Sequence, residues 1–414
     1  MNVTIESIEE AHERLKGIIR DTPLEYSKRL SEKYKANIYL KREDLQEVRS
    51  FKIRGAFNKI ASLSDEEKTR GIVCASAGNH AQGVAFSCFY LQISGTIFMP
   101  DTTPRQKVKK VRNFGGENVE IILTGETFDD SFAQAENLKK EKNAIFVHPF
   151  NDELVISGQG TVGKEIFDEL GEKVDFVFSS VGGGGLAAGC MTYLKEKIRH
   201  LHFIGVEPAG APAMYESLKT NRVVTLSQID TFVDGAAVRR IGEKNFEIYK
   251  NYAGEVITVP EGKVCTTMIE LYQNEGIVTE PAGALSVAAL DFVAYRLRGK
   301  NVVCIISGGN NDILRYPEIM ERSLRYEGLK HYFIINFTQK PGQLKKFVEE
   351  VLGPNDDIVR FEYIKKTNAE KGPAFIGIEL SDKDDYQPLL NKLNEMNFDF
   401  RVVSDDDLFY KHLV

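Results

Sequence analysis

Between Gly71 and Val147 short apolar runs alternate with longer amphipathic ones: Gly71 to Cys74, Gly95 to Met99, Val119 to Leu123 and Ala144 to Val147 read as strands, and Gln82 to Tyr90, Thr103 to Phe114 and Thr127 to Lys142 as helices. Strands joined through helices pair in parallel, because each crossover returns the chain to the same end of the sheet. A small α/β subdomain, with helices on both faces of a parallel sheet, is therefore expected at about Phe51 to Val147. Upstream, Ile5 to Ile19 carries helical spacing at Ile8, Ala11, Leu15 and Ile18. Thr22-Pro23-Leu24 then turns into a second helix, and Ile38-Tyr39-Leu40 opens a strand that ends in alternating charges. Downstream, strands near Phe176, Phe203, Ile257 and Val303 make a second α/β region.

Four segments carry chemistry. In the first, the apolar run Val174 to Ser179 leads through Val181 into Gly182-Gly183-Gly184-Gly185-Leu186, and helix-forming residues continue to Lys197. Strand, glycine turn and helix together form an anion site, because the first amides of a helix have no partner within it. In Ser50-Phe51-Lys52-Ile53-Arg54-Gly55-Ala56 a lysine stands among small and apolar neighbours. Partial burial would favour its neutral amine, the form that makes a Schiff base, although Lys52 reads equally as a solvated side chain opening a helix. In Ala75-Ser76-Ala77-Gly78-Asn79-His80-Ala81-Gln82-Gly83 small residues let a backbone approach a ligand, and Ser76 and Asn79 also suit a helix cap. Finally, the strand Val302 to Ile306 delivers Ser307 into Gly308-Gly309-Asn310, the kind of strand end where open α/β sheets hold ligands.

The order lysine, Ser-x-Gly-Asn-His, tetraglycine, Ser-Gly-Gly-Asn resembles the fold-type II family of pyridoxal-phosphate enzymes over roughly the first three quarters of the chain. Ala75 to Ala85, Asp234 to Gly242 and Glu280-Pro281-Ala282-Gly283-Ala284 bring it nearest to the threonine dehydratases. Cysteine synthases and tryptophan synthase β chains share the plan but differ in these strings. The resemblance implies a two-subdomain catalytic region over 1–326 with pyridoxal 5'-phosphate between its subdomains. It makes Lys52 the Schiff-base lysine and the general base. Gly182, Gly183, Gly184, Gly185 and Leu186 become the phosphate cup, Asn79 the contact to the cofactor's 3-oxygen, and Ser307 the hydroxyl at its pyridine nitrogen. Ser76, Ala77 and His80 border the substrate carboxylate, with a structural hydrogen bond as the other reading of His80. L-threonine is the implied substrate, L-serine a slower one, and 2-oxobutanoate and ammonia the products.

Two departures are informative. Where serine racemases carry a second proton-handling serine, this chain has Ala77. Where their divalent-metal site pairs a glutamate with an aspartate, it has Glu207 and Ala213. Elimination without racemisation is expected, and no divalent metal site. His200-x-His202 opens an apolar strand without a third ligand and reads as structural.

After Tyr326 the pattern becomes strand, helix, strand, strand, helix, strand: His331 to Thr338, Pro341 to Leu352, Ile358 to Lys366, Ala374 to Leu380, Tyr386 to Met396 and Asp399 to Val403. That order is a ferredoxin-like unit. Residues 327–414 resemble the single ACT-like regulatory domain of short biosynthetic threonine dehydratases, and a dimerisation module without ligand is the other reading. The resemblance implies isoleucine as effector, its carboxylate at the helix start marked by Gly342 and its side chain among Ile334, Phe337 and Leu344.

Composition narrows the remaining classes. A chain of 414 residues exceeds one core, and a net charge of −7 with both signs interspersed argues against nucleic acid as a main partner. Five scattered cysteines in apolar surroundings read as reduced thiols, with neither a targeting sequence nor a membrane span. A cytoplasmic homodimer or homotetramer is expected. A catabolic dehydratase, a β-replacement enzyme of cysteine-synthase type and a catalytically dead amino-acid sensor are the competing functions.

Overall fold

The computed structural model describes residues 3–363 and 370–404. The chain divides into two compact units, 1–311 and 312–414. The division falls ahead of the 326/327 boundary expected from sequence. The helix Tyr316–Tyr326 goes with the second unit, where Lys330 of the following strand pairs with its Glu321.

In the first unit the small sheet has the order Val119–Leu123, Gly95–Met99, Ile72–Ala75, Ile145–Phe146, with every pairing parallel. Its helix boundaries follow from capping: the Thr127 hydroxyl accepts from the Asp130 N–H and the Thr127 N–H donates to the Asp130 carboxylate, so the helix Phe128–Lys142 starts one residue after the cap. The larger sheet has the order Leu24–Tyr26, Asn37–Arg42, Asn301–Ile306, Phe176–Ser180, His202–Pro208, Glu255–Val259. Only its first pairing is antiparallel. Leu24–Tyr26, expected to lead into a helix, is instead an edge strand registered on Tyr39–Lys41. The helix Lys28–Tyr34 begins only after Ser27, which caps it.

This topology positions the site. Asn301–Ile306 and Phe176–Ser180 are adjacent and parallel, so Ser307 and the tetraglycine turn leave the sheet at the same end. The helix that carries Lys52 and the helix that follows the tetraglycine turn are both braced by the helix Glu153–Leu170. A Cβ on Gly158 would lie 2.7 Å from the Arg54 carbonyl oxygen, and one on Gly189 would lie 2.4 Å from that of Ile156. The helices Lys52–Ala61 and Gly185–Lys197 therefore approach this one helix through glycine contacts that no larger residue allows. Beneath them Arg54 is buried between Glu43 and Glu165, with Nη2 at 2.8 Å from Glu43 Oε1 and 2.9 Å from Glu165 Oε2. Its guanidinium charge is fully paired, which is what burial demands.

The second unit is an antiparallel sheet in the order Asp357–Tyr363, Lys371–Glu379, Lys330–Thr338, Asp399–Val402, with the helices Gln343–Glu350 and Tyr386–Glu395. The element order is the expected ferredoxin-like one; the predicted end of the third element, 364–366, lies outside the described residues. Phe333, Ile335 and Phe337 pack with Phe347, Leu389 and Leu393 in its core. Period-two alternation puts Ile334 on the opposite face of the strand from Phe337, which is buried against Phe347 and Phe398. These two residues therefore do not line one pocket with Leu344, contrary to the expectation from sequence.

Candidate active site

Lys52 is the first residue of its helix, with Ser50 bridged to Gly308 and the Phe51 N–H donating to the Ser307 carbonyl at 3.1 Å. The lysine is thus tied by backbone to the end of the central strand. Its Nζ donates to the Pro149 carbonyl at 2.8 Å. Burial pushes the ammonium down to about 8, and the nearby Glu280 carboxylate partly opposes the shift.

Lys52 and Gly182 to Leu186 line one cavity together with Phe150, Gln159 and Gly235. The turn is shaped by its lack of side chains. A Cβ on Gly183 would fall 2.1 Å from the Phe150 ring, and Gly184 adopts φ +93°, where a side chain is strained. The turn is also pinned: the Asn245 side-chain amide, buried, donates to the carbonyls of Gly183 at 2.6 Å and Phe150 at 3.0 Å. Gly185 then starts the helix Gly185–Lys197, whose first amides face the cavity end.

Asn79 starts the helix Asn79–Leu91, and its Nδ2 lies 2.7 and 2.9 Å from the two oxygens of Glu280. Ser307 is buried, its hydroxyl 3.3 Å from the Ala282 carbonyl. Ser76 accepts from the Gly78 N–H at 3.2 Å, and Ser76 and Ala77 are partly buried. His80 is buried with Nε2 at 2.8 Å from the Val147 carbonyl. Burial, then Lys52, pushes it down to about 3, so it is a neutral ring. His148 accepts two backbone N–H bonds on Nδ1 and is pushed down to about 4 by the same two causes. In the second unit Gly342 has φ +84° at the start of Gln343–Glu350, and Leu344 is exposed.

The structure thus gathers Lys52 and the glycine turn in one cavity and links Asn79 and Ser307 to its walls. Glu280, Asn245, Gln159 and the Pro149-Phe150 turn were not assigned from sequence. Glu280 lies in Glu280-Pro281-Ala282-Gly283-Ala284, where nothing local marks its pairing with Asn79, 201 residues away.

Residues 15–308 match the family model described as pyridoxal-phosphate dependent enzyme, and residues 321–413 match the C-terminal regulatory domain of threonine dehydratase. The chain is 54% identical over 412 residues to the biosynthetic L-threonine dehydratase of Halalkalibacterium halodurans, covering 100% of this chain and 99% of that one. It is also 54% identical over 409 residues to the corresponding protein of Bacillus subtilis, covering 99% and 97%. This chain belongs to the biosynthetic threonine dehydratases. Among solved structures, processed threonine deaminase isoform 2 of Solanum lycopersicum matches with TM-score 0.74 and 37% identity over 77% of this chain and 87% of that one. Maize serine racemase matches with TM-score 0.73 and 29% identity over 79% and 99%. The fold is the fold-type II pyridoxal-phosphate plan with a C-terminal regulatory domain.

The residues of this dehydratase fit its family's cofactor. The turn Gly182 to Leu186 lines the cavity with backbone and helix-start amides that could meet a phosphate. Gln159 is buried with its Nε2 lacking a partner among the described residues, a donor left for an anion in the same cavity. A lysine with a lowered pKa stands next to it. The racemase-type metal position is otherwise used: Glu207, pushed up to about 8 by burial, accepts the N–H groups of Met214 and Tyr215 at 2.7 and 2.8 Å and caps the helix Ala213–Thr220. Among the described residues no cluster of His, Cys, Asp or Glu is placed to hold a metal ion. All five cysteines are buried and outside any disulfide, and no described helix is long and apolar enough to cross a membrane.

Proposed function

We propose that this dehydratase converts L-threonine to 2-oxobutanoate and ammonia by β-elimination, with L-serine as a slower substrate and Lys52 as catalytic base. The observation that carries the reading is the cavity shared by Lys52 and the glycine turn, in which the amine titrates near about 8. Pyridoxal phosphate supplies, when bound, an electron sink for negative charge at the substrate Cα. The amides of Gly182 to Leu186 would hold its phosphate, and Lys52 would hold its aldehyde carbon. The Lys52 amine would accept the substrate Cα proton, a role for which an amine that is neutral part of the time at neutral pH is suited. Ser307 presents a neutral hydroxyl where a carboxylate would bring charge, and so favours prompt loss of the β-hydroxyl over reprotonation. Asn79 orients the ring through its 3-oxygen, while Ser76 and Ala77 border the substrate carboxylate. His80, neutral and bonded to Val147, keeps that wall in place rather than supplying charge.

The second unit is read as the seat of feedback control by isoleucine, in a cytoplasmic homodimer or homotetramer. The match to a regulatory domain favours this biosynthetic role over a catabolic one.

The test is a visible absorption spectrum of the purified protein before and after threonine, with 2-oxobutanoate measured in parallel. Lys52→Ala is expected to retain cofactor at the glycine turn and lose turnover; normal threonine turnover by that variant overturns the assignment. Removing residues 312–414 is expected to leave a dehydratase indifferent to isoleucine. Persisting inhibition would place isoleucine at the active site instead.

A further inference from the structure

We propose that Glu280 is a positioning residue that decides which way the Asn79 amide faces at the cofactor. The inference rests on the reading of Asn79 as a cofactor contact. It follows from a chain of hydrogen bonds whose direction is fixed at both ends. The Val48 carbonyl can only accept, so Asn310 Nδ2 donates to it at 2.8 Å; the Lys110 ammonium can only donate, and Asn310 Oδ1 receives it at 3.1 Å. The Asn310 amide therefore has one orientation, and its Nδ2 also donates to Asn79 Oδ1 at 2.7 Å. That leaves Asn79 Nδ2 as a donor, and the acceptor opposite it is the Glu280 carboxylate, at 2.7 and 2.9 Å.

Glu280 is 5% exposed, and room for it exists only because residue 308 is glycine: a Cβ there would lie 2.5 Å from Glu280 Oε1. Its backbone N–H donates to the Gly308 carbonyl at 3.1 Å, locking the carboxylate to the strand end that carries Ser307. One Asn79 hydrogen shared across both carboxylate oxygens leaves the second for the ring oxygen of the cofactor. Burial and Asp234 push the Glu280 carboxyl up to about 7, while the Asn79 bond, Lys107 and the Asn310 N–H pull it back. The carboxylate therefore depends on this amide as much as the amide depends on it.

The test compares Glu280→Gln, Asn79→Ala and the double variant in the full chain, by titrating cofactor-free protein with pyridoxal phosphate and following absorbance. Loss of a charge-assisted hydrogen bond predicts roughly tenfold weaker cofactor binding for Glu280→Gln. Asn79→Ala is expected to lose at least as much, and the double variant no more than Asn79→Ala alone. Should Glu280→Gln fold poorly, Asn310→Ala reaches the same amide from its other side, with a similar loss that also vanishes in the Asn79→Ala background. An effect of either variant that persists without Asn79, or no effect while Asn79→Ala weakens binding, overturns the role of Glu280 alone. Unaltered binding by Asn79→Ala overturns the reading of Asn79 itself.

Discussion

Gly183→Ala tests whether the phosphate turn is shaped by packing or by backbone conformation. A Cβ at 183 would meet Phe150 Cγ at 2.1 Å and Cδ1 at 2.2 Å, the root of the ring rather than a flexible tip. The ring cannot swing aside, because its backbone is held on both sides: the Phe150 N–H donates to His148 Nδ1 at 3.2 Å and its carbonyl accepts from Asn245 at 3.0 Å. The strain must be taken by moving the turn, and overpacking of this kind costs about 1–3 kcal/mol. The cofactor-free variant should show that loss in urea denaturation, together with weaker cofactor binding, because the displaced amides no longer converge. The combination Gly183→Ala with Phe150→Ala should recover affinity relative to Gly183→Ala alone, since the obstructing ring is gone. Gly184→Ala is the control: at φ +93° its cost is backbone strain of about 1–2 kcal/mol, which removing the ring should not relieve. Wild-type stability and affinity for Gly183→Ala, or a loss at 183 that Phe150→Ala leaves untouched, would refute the packing argument.

Further outcomes are expected. In cofactor-free protein the capture of an aldehyde by Lys52 should rise about tenfold per pH unit below about 8 and level off above it, because burial favours the neutral amine; a midpoint near the ordinary lysine value would refute the shift. His80 and His148, at about 3 and about 4, stay neutral across that range, whereas Glu280, at about 7, titrates within it, so Glu280→Gln should move the Lys52 midpoint lower. Asn245→Ala leaves the Phe150 carbonyl without this donor and the Gly183 carbonyl with the Gly242 N–H alone, and should cost about 1–3 kcal/mol in stability, with cofactor affinity falling in step. Arg54→Met leaves Glu43 without its counter-charge and Glu165 with Lys41 alone, and should destabilise by about 3–5 kcal/mol in chemical denaturation; a small loss would mean that the remaining Lys41 charge suffices for the pair of carboxylates. Chiral analysis of unreacted serine after partial turnover should find essentially no D-serine, because Ala77 has no proton to give; appreciable D-serine would require another donor on that face.

The candidate site residues are legible because they stand where periodicity breaks. Lys52 opens a helix, the glycines follow a buried strand, and Ser307 ends one. Residues that act across long loops left no such mark. Asn245 lies in a charged helix, Glu243–Asn251, and its partners are 62 and 95 residues away, so nothing local distinguishes it from a solvent-facing asparagine. The helix Glu153–Leu170 was not read either. Its glycines at 158, 160 and 163 lower helix propensity by about 1 kcal/mol each, and only the close approach of neighbouring backbones explains them. Leu24–Tyr26 was misread because its strand character comes from pairing with Tyr39–Lys41, which three residues cannot announce. In the second unit the element order was visible, but a three-residue step along a strand reverses its face, and the proposed pocket ignored this.

The site's electrostatics follow from a common feature of its walls: they offer carbonyls, amides and neutral rings, and little fixed charge. Both histidines near Lys52 are uncharged, and each bonds the backbone with a ring nitrogen, so neither competes with Lys52 for protons or neutralises the phosphate. Lys52 itself rests on a carbonyl, the Pro149 oxygen, rather than on a carboxylate. A carboxylate in contact would hold the ammonium charged, whereas a carbonyl satisfies one hydrogen and leaves desolvation to lower the pKa. Glu280 is hydrogen-bonded to Asn79, with Asp234 pushing its carboxyl up and Lys107 pulling it down. On the proposed reading of Lys52 as base, keeping that carboxylate engaged with Asn79 limits its pull on the ammonium, so the contact that orients Asn79 would also protect the reactivity of Lys52. The two effects separate experimentally: Asn310→Ala disturbs the amide while leaving the Glu280 charge in place, and should weaken cofactor binding with less change in the Lys52 titration than Glu280→Gln produces. Equal shifts in both variants would mean that the charge of Glu280 reaches Lys52 only through the orientation of Asn79.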